Sequence, residues 1–197
     1  MGIEIRDEGP EALAAYASIS ISFPVVEVLD ADALSVASPR PFAARPVAVP
    51  EVKDYDAHPG NDPLDWPSRF DIGRWGFLMA RIDGQHVGGA VAVACAPELD
   101  MLEGRDDLAV LWDIRVTATS RRQGVGTALL SAVETWARAR GSRVLKVETQ
   151  NVNLPACHFY AARGFTLGAV NRGAYPELPG EIELLWYKTL DARGAPG

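Results

Sequence analysis

The sequence has few of the residues from which disulfide frameworks and metal sites are built. Its 197 residues include two cysteines and three histidines. Cys95 and Cys157 cannot form a disulfide framework or a zinc site by themselves, so we expect free thiols in a reducing cytoplasm. The histidines add no motif, and no metal ligand set is predicted.

Long apolar runs and excess positive charge are also missing. The longest uncharged apolar stretch, Val87 to Pro97, falls short of the roughly 20 residues that a helix needs to cross a bilayer. The acidic and basic residues at positions 4, 6, 7 and 8 exclude the apolar core of a secretory signal. A net charge of -7 argues against a nucleic-acid surface and favours cationic partners. We therefore expect a soluble, cytoplasmic protein that binds neither nucleic acid nor membranes.

Length and composition fit one globular domain, with 48% hydrophobic and 23% charged residues. We predict a single domain over residues 1–190, with an irregular part at 1–74, a core at 75–190 and a disordered tail at 191–197. Eight of the fourteen prolines lie between Pro24 and Pro67, which predicts loops and extended segments there. The aromatic residues of this part can pack on a core: Phe42, Tyr55, Trp66 and Phe70.

The most informative stretch is VTATSRRQGVGTALL at residues 116–130, where an apolar strand runs into a basic, glycine-spaced turn and then a helix. Gly124 and Gly126 allow the backbone to approach a ligand closely. Apolar residues recur at helical spacing from Val125 onward, and Gly141 is placed to end the helix. Because the first N–H groups of a helix lack intrahelical acceptors, this turn is suited to bind a pyrophosphate.

Two other phosphate loops do not fit the turn. A P-loop needs four residues between its glycines followed by Lys and Ser or Thr, but here one residue separates Gly124 from Gly126. A dinucleotide fingerprint needs glycine where this chain has Leu129. For the two glycines alone, a solvated basic turn without a ligand stays open.

The remaining elements follow from periodicity and turn residues. A short strand is predicted at 3–6, a helix at 11–17, and a hairpin over 76–94 whose turn is Asp83-Gly84. Strands follow at 108–116, 143–149, 165–170 and 181–189, and a second helix runs from the N-cap Asn153 to Gly164. The strand 108–116 is apolar on both faces at its start and should be central. Its polar residues share one face near its end: Asp113, Arg115 and Thr117.

The segment Asn153-x-x-Ala156-x-x-x-Tyr160-x-x-x-Gly164-Phe165, together with the glycine turn, resembles the GNAT superfamily of acetyl-CoA-dependent N-acetyltransferases. The resemblance covers roughly residues 75 to 190. The run from Glu148 through Tyr160 is similar to streptothricin acetyltransferases. One departure is Ala118, where many members have proline before the turn.

This resemblance implies an α+β fold, with a mixed but mostly antiparallel central sheet of six to seven strands and helices on both faces. Strands four and five would splay apart to hold acetyl-CoA as the cosubstrate, and a homodimer is kept open. The segment before residue 75 would line the acceptor site. The implied cofactor-binding residues are Ile114, Arg115, Val116, Arg121, Arg122, Gln123, Gly124, Val125, Gly126, Thr127, Asn153, Ala156 and Tyr160. Ile114 and Val116 would act through the backbone, and helix capping explains Asn153 equally well.

Acetyl transfer to an amine needs a base for the nucleophile and an acid for the departing thiolate. Tyr160 matches the tyrosine that serves as the acid in many GNAT enzymes. Asp113 and Glu148 are both candidates for the base or the amine anchor. Arg115 could hold Asp113 in a structural ion pair, and Lys146 stands in the same relation to Glu148.

Other candidate groups are weaker. The carboxylates of Glu177, Glu181 and the Asp106-Asp107 pair are interpreted as solvated charges. An acetyl-cysteine intermediate on Cys157 lacks a paired base in the sequence pattern.

The sequence therefore favours an N-acetyltransferase that moves an acetyl group from acetyl-CoA to a primary amine of a cationic small molecule in a ternary complex. A streptothricin-like antibiotic is the first acceptor to consider. One alternative is a protein N-terminal or lysine acetyltransferase. Another is a non-catalytic acyl-CoA-binding regulatory module, which would tolerate Tyr160→Phe.

Overall fold

The computed structural model describes residues 2–30 and 43–190. These residues form two compact units. The first contains residues 2–21, 54–145 and 190, and the second contains 22–30, 43–53 and 146–189. The predicted disordered tail at 191–197 and the predicted core aromatic Phe42 lie outside the described residues. The single-domain boundaries stay a prediction.

The described residues contain nine strands and three α-helices. The strands are β1 Glu4–Asp7, β2 Phe23–Leu29, β3 Ala44–Lys53, β4 Gly76–Ile82, β5 Gln85–Ala94, β6 Leu108–Val116, β7 Val144–Gln150, β8 Thr166–Asn171 and β9 Glu183–Thr189. The helices are α1 Leu13–Ala17, α2 Val125–Ala139 and α3 Leu154–Ala162. Short 3-10 helices lie at Pro10–Ala12, Pro63–Ser68, Ile72–Arg74, Asp100–Leu102 and Ala118–Ser120.

Strand pairing is mostly antiparallel in both units. In the first unit the strands lie in the order β1-β4-β5-β6, and each neighbouring pair is antiparallel. In the second unit the order is β7-β9-β8, with β8 and β9 antiparallel, and β2 pairs with β3 in a separate antiparallel ribbon. The predicted mixed α+β class with mostly antiparallel strands is confirmed. The predicted splay between strands four and five, here β6 and β7, stays a prediction.

Glycine and capping residues set the ends of the elements as the sequence predicts. Asp83 and Gly84 take positive φ values of 50° and 80°, which is the conformation that a tight hairpin turn requires. Helix α2 starts directly after Gly124 and ends before Gly141, both of which have positive φ. The 108–116 strand is found with its predicted bounds. The proline-rich part forms β2, β3 and short 3-10 helices, in agreement with the predicted extended segments and loops.

Two adjacent glycines in β5 bring helices onto opposite faces of the first unit's sheet. A Cβ added to Gly88 would lie 3.1 Å from Val125 and 3.2 Å from Leu129, both on α2. A Cβ added to Gly89 would lie 2.6 Å from the ring of Tyr16 on α1. Because successive residues of a strand point to opposite faces, α2 and α1 cover different sides of the sheet. The prediction of helices on both faces is therefore confirmed in this unit.

An aromatic core lies on the α1 side of this sheet. Tyr16, Trp66, Trp75 and Phe77 are buried there, and Phe70 packs against the cluster. The ring centroids of Tyr16 and Phe77 lie 6.2 Å apart with their planes at 90°, a favourable edge-to-face geometry. The prediction that Trp66 and Phe70 pack on a core is confirmed. No helix in the described ranges is both long enough and apolar enough to cross a membrane.

We expect Gly89→Ala to destabilise the protein by about 1–3 kcal/mol, because the added methyl group would lie 2.6 Å from the ring of the fully buried Tyr16 and would overpack the core. The melting temperature and the free energy of unfolding in urea would measure the loss. Gly2→Ala is the matched control, since a Cβ there meets nothing within 4 Å. Equal stability of the two variants would contradict the position of Tyr16 against the strand.

Candidate active site

The basic turn after β6 is shaped by two left-handed residues. Arg122 has φ of 61° and Gly124 has φ of 88°. Arg121 Nε donates to the carbonyl oxygen of Val116 at 3.1 Å, and Gln123 Nε2 donates to the carbonyl oxygen of Thr119 at 2.7 Å. These side chains therefore brace the loop against the strand that it leaves. Residues 121–124 are all exposed.

The turn leads directly into α2. The N-cap residue is Gly124, which has no side chain to cap the helix, and the first turn of α2 contains no acidic residue. Val125, Gly126 and Thr127 are its first three residues. A helix start beside two arginines concentrates N–H donors and positive charge, so the turn fits an anion such as a pyrophosphate.

A β-bulge in β6 aims two polar residues at the α1 face. Val91 pairs with Asp113 and the next residue of β5, Ala92, pairs with Leu111, so Trp112 is the extra residue. Arg115 lies opposite Gly89, on the face that Tyr16 covers. Asp113 and Arg115 thus share a face, as predicted, although the sequence did not predict the bulge. Ile114 and Val116, which carry the predicted backbone contacts, are half-buried on the opposite face.

Arg115 is a buried cation with two carboxylate partners. Its side chain is 1% exposed, and its Nε donates to Asp113 Oδ2 at 2.6 Å. Its two terminal nitrogens donate to the two oxygens of Asp56 at 2.6 and 2.8 Å, and one of them also donates to the carbonyl oxygen of Ile19 at 3.3 Å. The predicted Asp113–Arg115 ion pair is confirmed. Asp56, 59 residues away in the chain, was not predicted, because no local pattern marks it.

Tyr16 completes this cluster. It is fully buried, its ring centroid lies 5.1 Å from Cζ of Arg115, and its hydroxyl has no hydrogen-bond partner in the described part of the chain. Burial and the nearby charge of Asp113 raise the pKa of Tyr16 well above its ordinary value. Burial also raises the pKa of Asp113, and Arg115 partly offsets that effect. Burial lowers the pKa of Arg115, but Asp113 and Asp56 have the larger combined effect, so the pKa of Arg115 is raised.

Glu148, near the end of β7, has neutral hydrogen-bond donors. The hydroxyl group of Tyr175 donates a hydrogen bond to Oε1 of Glu148, and Gln150 Nε2 donates a hydrogen bond to the same oxygen at 3.1 Å. Burial raises the pKa of Glu148, and the Tyr175 hydrogen bond opposes that rise. The charge of Lys146 lowers the pKa of Glu148, but this effect is smaller than the rise caused by burial. Among the described residues, the predicted influence of Lys146 on Glu148 is therefore present but weak. Tyr175 was missed because it lies on a distant loop.

Tyr160 is buried at the end of α3, and its ring is fixed by two aromatic neighbours. The ring centroid of Phe159 lies 5.1 Å away at 82°, and that of Phe165 lies 5.3 Å away at 67°. At the start of the helix, Asn153 Oδ1 accepts from the main-chain N–H of Ala156 at 3.2 Å. The capping explanation of Asn153 is therefore confirmed, and its amide nitrogen is not used by the cap.

The other acidic and thiol candidates differ in how deeply they are buried. The interpretation of Glu181 as a solvated charge is wrong, because its side chain is 10% exposed and pairs with Lys53. Glu177 and Asp106 are exposed, as predicted. Cys157 is fully buried, and burial raises the pKa of its thiol to about 12. The described residues contain no group of three or more His, Cys, Asp or Glu side chains arranged to hold a metal ion.

The structure thus gathers the predicted site residues into two sets. The first unit holds Asp113 with Arg115, the strand backbone at 114 and 116, and the turn at 121–127. The second unit holds Glu148, Asn153, Ala156 and Tyr160. Sequence reasoning missed Tyr16, Asp56 and Tyr175.

Comparison with known proteins gives a consistent family. The acetyltransferase (GNAT) family model matches residues 47–165. Streptothricin acetyltransferase A of Bacillus subtilis (strain 168) is 38% identical over 95 residues, which are 47% of this chain and 55% of that protein. The chain therefore spans about half the length of this curated relative.

Two further proteins match nearly end to end. Streptothricin acetyltransferase of Streptomyces lavendulae is 28% identical over 189 residues, covering 95% of this chain and 94% of that one. A crystal structure of a candidate streptothricin acetyltransferase from Bacillus anthracis str. Ames, in complex with acetyl coenzyme A, aligns with a TM-score of 0.74 at 25% identity. That alignment covers 97% of this chain and 100% of the other.

We expect Arg115→Leu to lower the free energy of unfolding by about 3–5 kcal/mol at pH 7, because two carboxylates lose a buried cation. Without Arg115 the pKa of Asp113 rises further above its unfolded value. The folded variant then binds a proton more readily than the unfolded chain, so its stability recovers as the pH falls through that raised pKa. Urea denaturation at pH 7 and pH 5 would measure both effects.

The exposed Arg105, paired with Asp107, supplies the control. Arg105→Leu should leave the urea midpoint unchanged at both pH values. If Arg115→Leu lost no more unfolding free energy than Arg105→Leu, or if its loss did not depend on pH, the buried cluster of Arg115, Asp113 and Asp56 would be contradicted.

Proposed function

The chain belongs to the acetyltransferase (GNAT) family, and on that premise we propose that it transfers the acetyl group of acetyl-CoA directly to a primary amine of a cationic small molecule. Streptothricin-like compounds are the favoured acceptors. The observation that carries the proposal is the presence of two features, the glycine turn that opens α2 and the Asn-capped helix that has Tyr160 in its last turn. The relatives named as streptothricin acetyltransferases support the choice of acceptor.

The turn at residues 121–127 would hold the pyrophosphate of the cosubstrate. Main-chain N–H groups at the start of α2 supply the donors, Gly124 removes a side chain from the approach, and the arginines at 121 and 122 add full charges. The backbone of Ile114 and Val116 would pair with the pantetheine arm, and Asn153 and Ala156 would contact it from α3. Asn153 can do so while capping, because the cap uses Oδ1 and leaves the amide nitrogen as a donor.

Removing a proton from the amine is the costly step. An amine with pKa about 10.4 is mostly protonated at pH 7, so supplying its free base costs roughly 4–5 kcal/mol. Glu148 is the better base of the two carboxylates. Burial raises the pKa of both carboxylates, so their partners decide. The partners of Glu148 are neutral donors, whereas Asp113 is paired with the Arg115 guanidinium at 2.6 Å. Asp113 and Asp56 together face the single positive charge of Arg115, so the cluster keeps an excess of negative charge. We assign Asp113 to the binding of the acceptor's positive charge on that ground.

Tyr160 would act as the acid at the end of the reaction. A phenol stays protonated at neutral pH yet can give its proton to a departing thiolate. Acetyl-CoA supplies the acetyl group as a thioester. Glu148 takes one proton from the ammonium group, and the neutral nitrogen then attacks the thioester carbon. As the carbon–sulfur bond breaks, Tyr160 gives its proton to the sulfur. The nitrogen passes its second proton through water to the Tyr160 phenolate, and Glu148 releases its proton to water.

A thiol-release assay with acetyl-CoA and a panel of amines tests the function. We expect turnover with streptothricin-class cations and little turnover with lysine peptides or protein N-termini. Tyr160→Phe should lower kcat by about a hundredfold while the variant still folds and still binds CoA, because the ring that packs on Phe159 and Phe165 is kept. Tyr187→Phe, a second hydroxyl deletion in the same unit, is the control.

Two outcomes of this assay would count against the proposal. Tight CoA binding without turnover on any amine would favour a non-catalytic binding module, and preference for peptides would favour the protein acetyltransferase.

The choice of base is tested by comparing two amide variants. We expect Glu148→Gln to lower kcat by about a hundredfold and to remove the acidic limb of the pH–rate profile, since the group that takes the proton is lost. Asp113→Asn should mainly raise KM for the amine, because it removes a charge that binds the acceptor. Steady-state kinetics over pH 5–9 measures both. The opposite assignment of the two effects would exchange the roles of Glu148 and Asp113.

A further inference from the structure

The loop between β8 and β9 is fastened to the end of β7 by Asn151. Asn151 is buried, its Nδ2 donates to the carbonyl oxygen of Gly180 at 3.2 Å, and its Oδ1 accepts from the main-chain N–H of Ile182 at 2.8 Å. Its own main-chain N–H donates to the carbonyl oxygen of Ile182 at 3.1 Å. Three hydrogen bonds thus fix the end of the loop that carries Tyr175 beside the strand that carries Glu148.

The hydroxyl of Tyr175 has one orientation available to it. Gln150 Nε2 donates to the hydroxyl oxygen at 2.9 Å, so the hydroxyl proton points to the other neighbour, Oε1 of Glu148. Gln150 also donates to that same Oε1 at 3.1 Å. The three side chains therefore form a closed triangle in which every proton has a defined acceptor.

Both donors reach the same carboxylate oxygen. In the part of the chain that is described, Oε2 of Glu148 accepts no hydrogen bond, while Oε1 accepts two. Glu148 as a residue is half-buried. A base must keep one oxygen for the proton that it accepts, and this arrangement supplies it.

The charged and titratable groups around Glu148 act in different directions. The hydrogen bonds from Tyr175 and Gln150 and the charge of Lys146 lower the pKa of Glu148, whereas burial and the charge of Glu183 raise it. Burial and the charge of Glu148 in turn raise the pKa of Tyr175 above its ordinary value. Tyr175 thus keeps its proton and remains a hydrogen-bond donor throughout.

We propose that Tyr175 is a positioning residue for acetyl transfer: with Gln150 it holds Oε1 of Glu148, which leaves Oε2 to take the proton of the acceptor amine. The inference rests on the proposed function, because it gives Glu148 the role of base. Tyr175 itself gives up no proton. The ammonium group of the acceptor loses one proton to Oε2, and its nitrogen forms the new bond to the acetyl carbon. The carbon–sulfur bond breaks, the thiol of CoA leaves with the proton of Tyr160, and the second proton of the nitrogen returns to Tyr160 through water.

Tyr175→Phe tests the inference without removing the ring. Loss of a donor to the ionised carboxylate should raise the pKa of Glu148 by about one unit, a tenfold change in its protonation equilibrium. The acidic limb of the pH profile of kcat/KM should then move to higher pH by the same amount. Gln150→Leu should shift the limb in the same direction, and Tyr187→Phe should not shift it.

A measurement without substrate separates this inference from the proposed function. In protein labelled with carbon-13 at the glutamate carboxyl groups, the Glu148 resonance is assigned by its loss in Glu148→Gln and titrated by NMR. An upward shift of this titration in Tyr175→Phe, matched by the kinetic limb, supports the inference. An unchanged titration, or a shifted titration with an unmoved kinetic limb, overturns it. Absence of turnover in the wild-type protein overturns the proposed function instead, and the titration alone then decides whether Tyr175 sets the ionisation of Glu148.

Discussion

The first unit depends on one buried cation. Placing a guanidinium in a protein interior is costly unless its donors are satisfied and its charge is balanced, and Arg115 meets both conditions. It bonds Asp113 on its own strand, Asp56 on a distant loop and the carbonyl oxygen of Ile19 just after α1. One side chain therefore holds three separate segments on one face of the sheet. The bulge at Trp112 sets the register of Asp113, and the missing side chain at Gly89, opposite Arg115, leaves room for the Tyr16 ring that covers the cluster.

The two candidate carboxylates differ in how their charge is treated. Asp113 faces a full positive charge, so its ionised form is bound in a pair with Arg115. Glu148 is held by the neutral donors Tyr175 and Gln150, which orient it without cancelling its charge. One carboxylate has a charged partner and the other has neutral partners, so the two are suited to different tasks. Asp113 is suited to binding a cation, and Glu148 is suited to accepting a proton.

Local sequence patterns predicted the helices, strands and turns, but they did not predict the side-chain contacts between residues that are far apart in the chain. Glycine, capping and periodicity mark turns and helix ends, so the hairpin at 83–84, the strand 108–116 and both long helices were predictable. The partners of Arg115 and Glu148 were not, because Asp56 and Tyr175 lie 59 and 27 residues from them and carry no periodic signal. A bulge shifts register by one residue and leaves the hydrophobic pattern nearly unchanged, which hides it as well.

The environment of Cys157 bears on whether transfer is direct or passes through the enzyme. A cysteine nucleophile reacts as thiolate, and with a pKa of about 12 only about one thiol in 10⁵ is ionised at pH 7. Its sulfur lies 3.5 Å from the hydroxyl of Thr149, which itself accepts a hydrogen bond from the Trp186 indole at 2.8 Å. No histidine or carboxylate among the described residues bonds it as a base would. The thiol is therefore a packing group, and its surroundings favour direct attack of the amine on the thioester over an acetyl-cysteine intermediate.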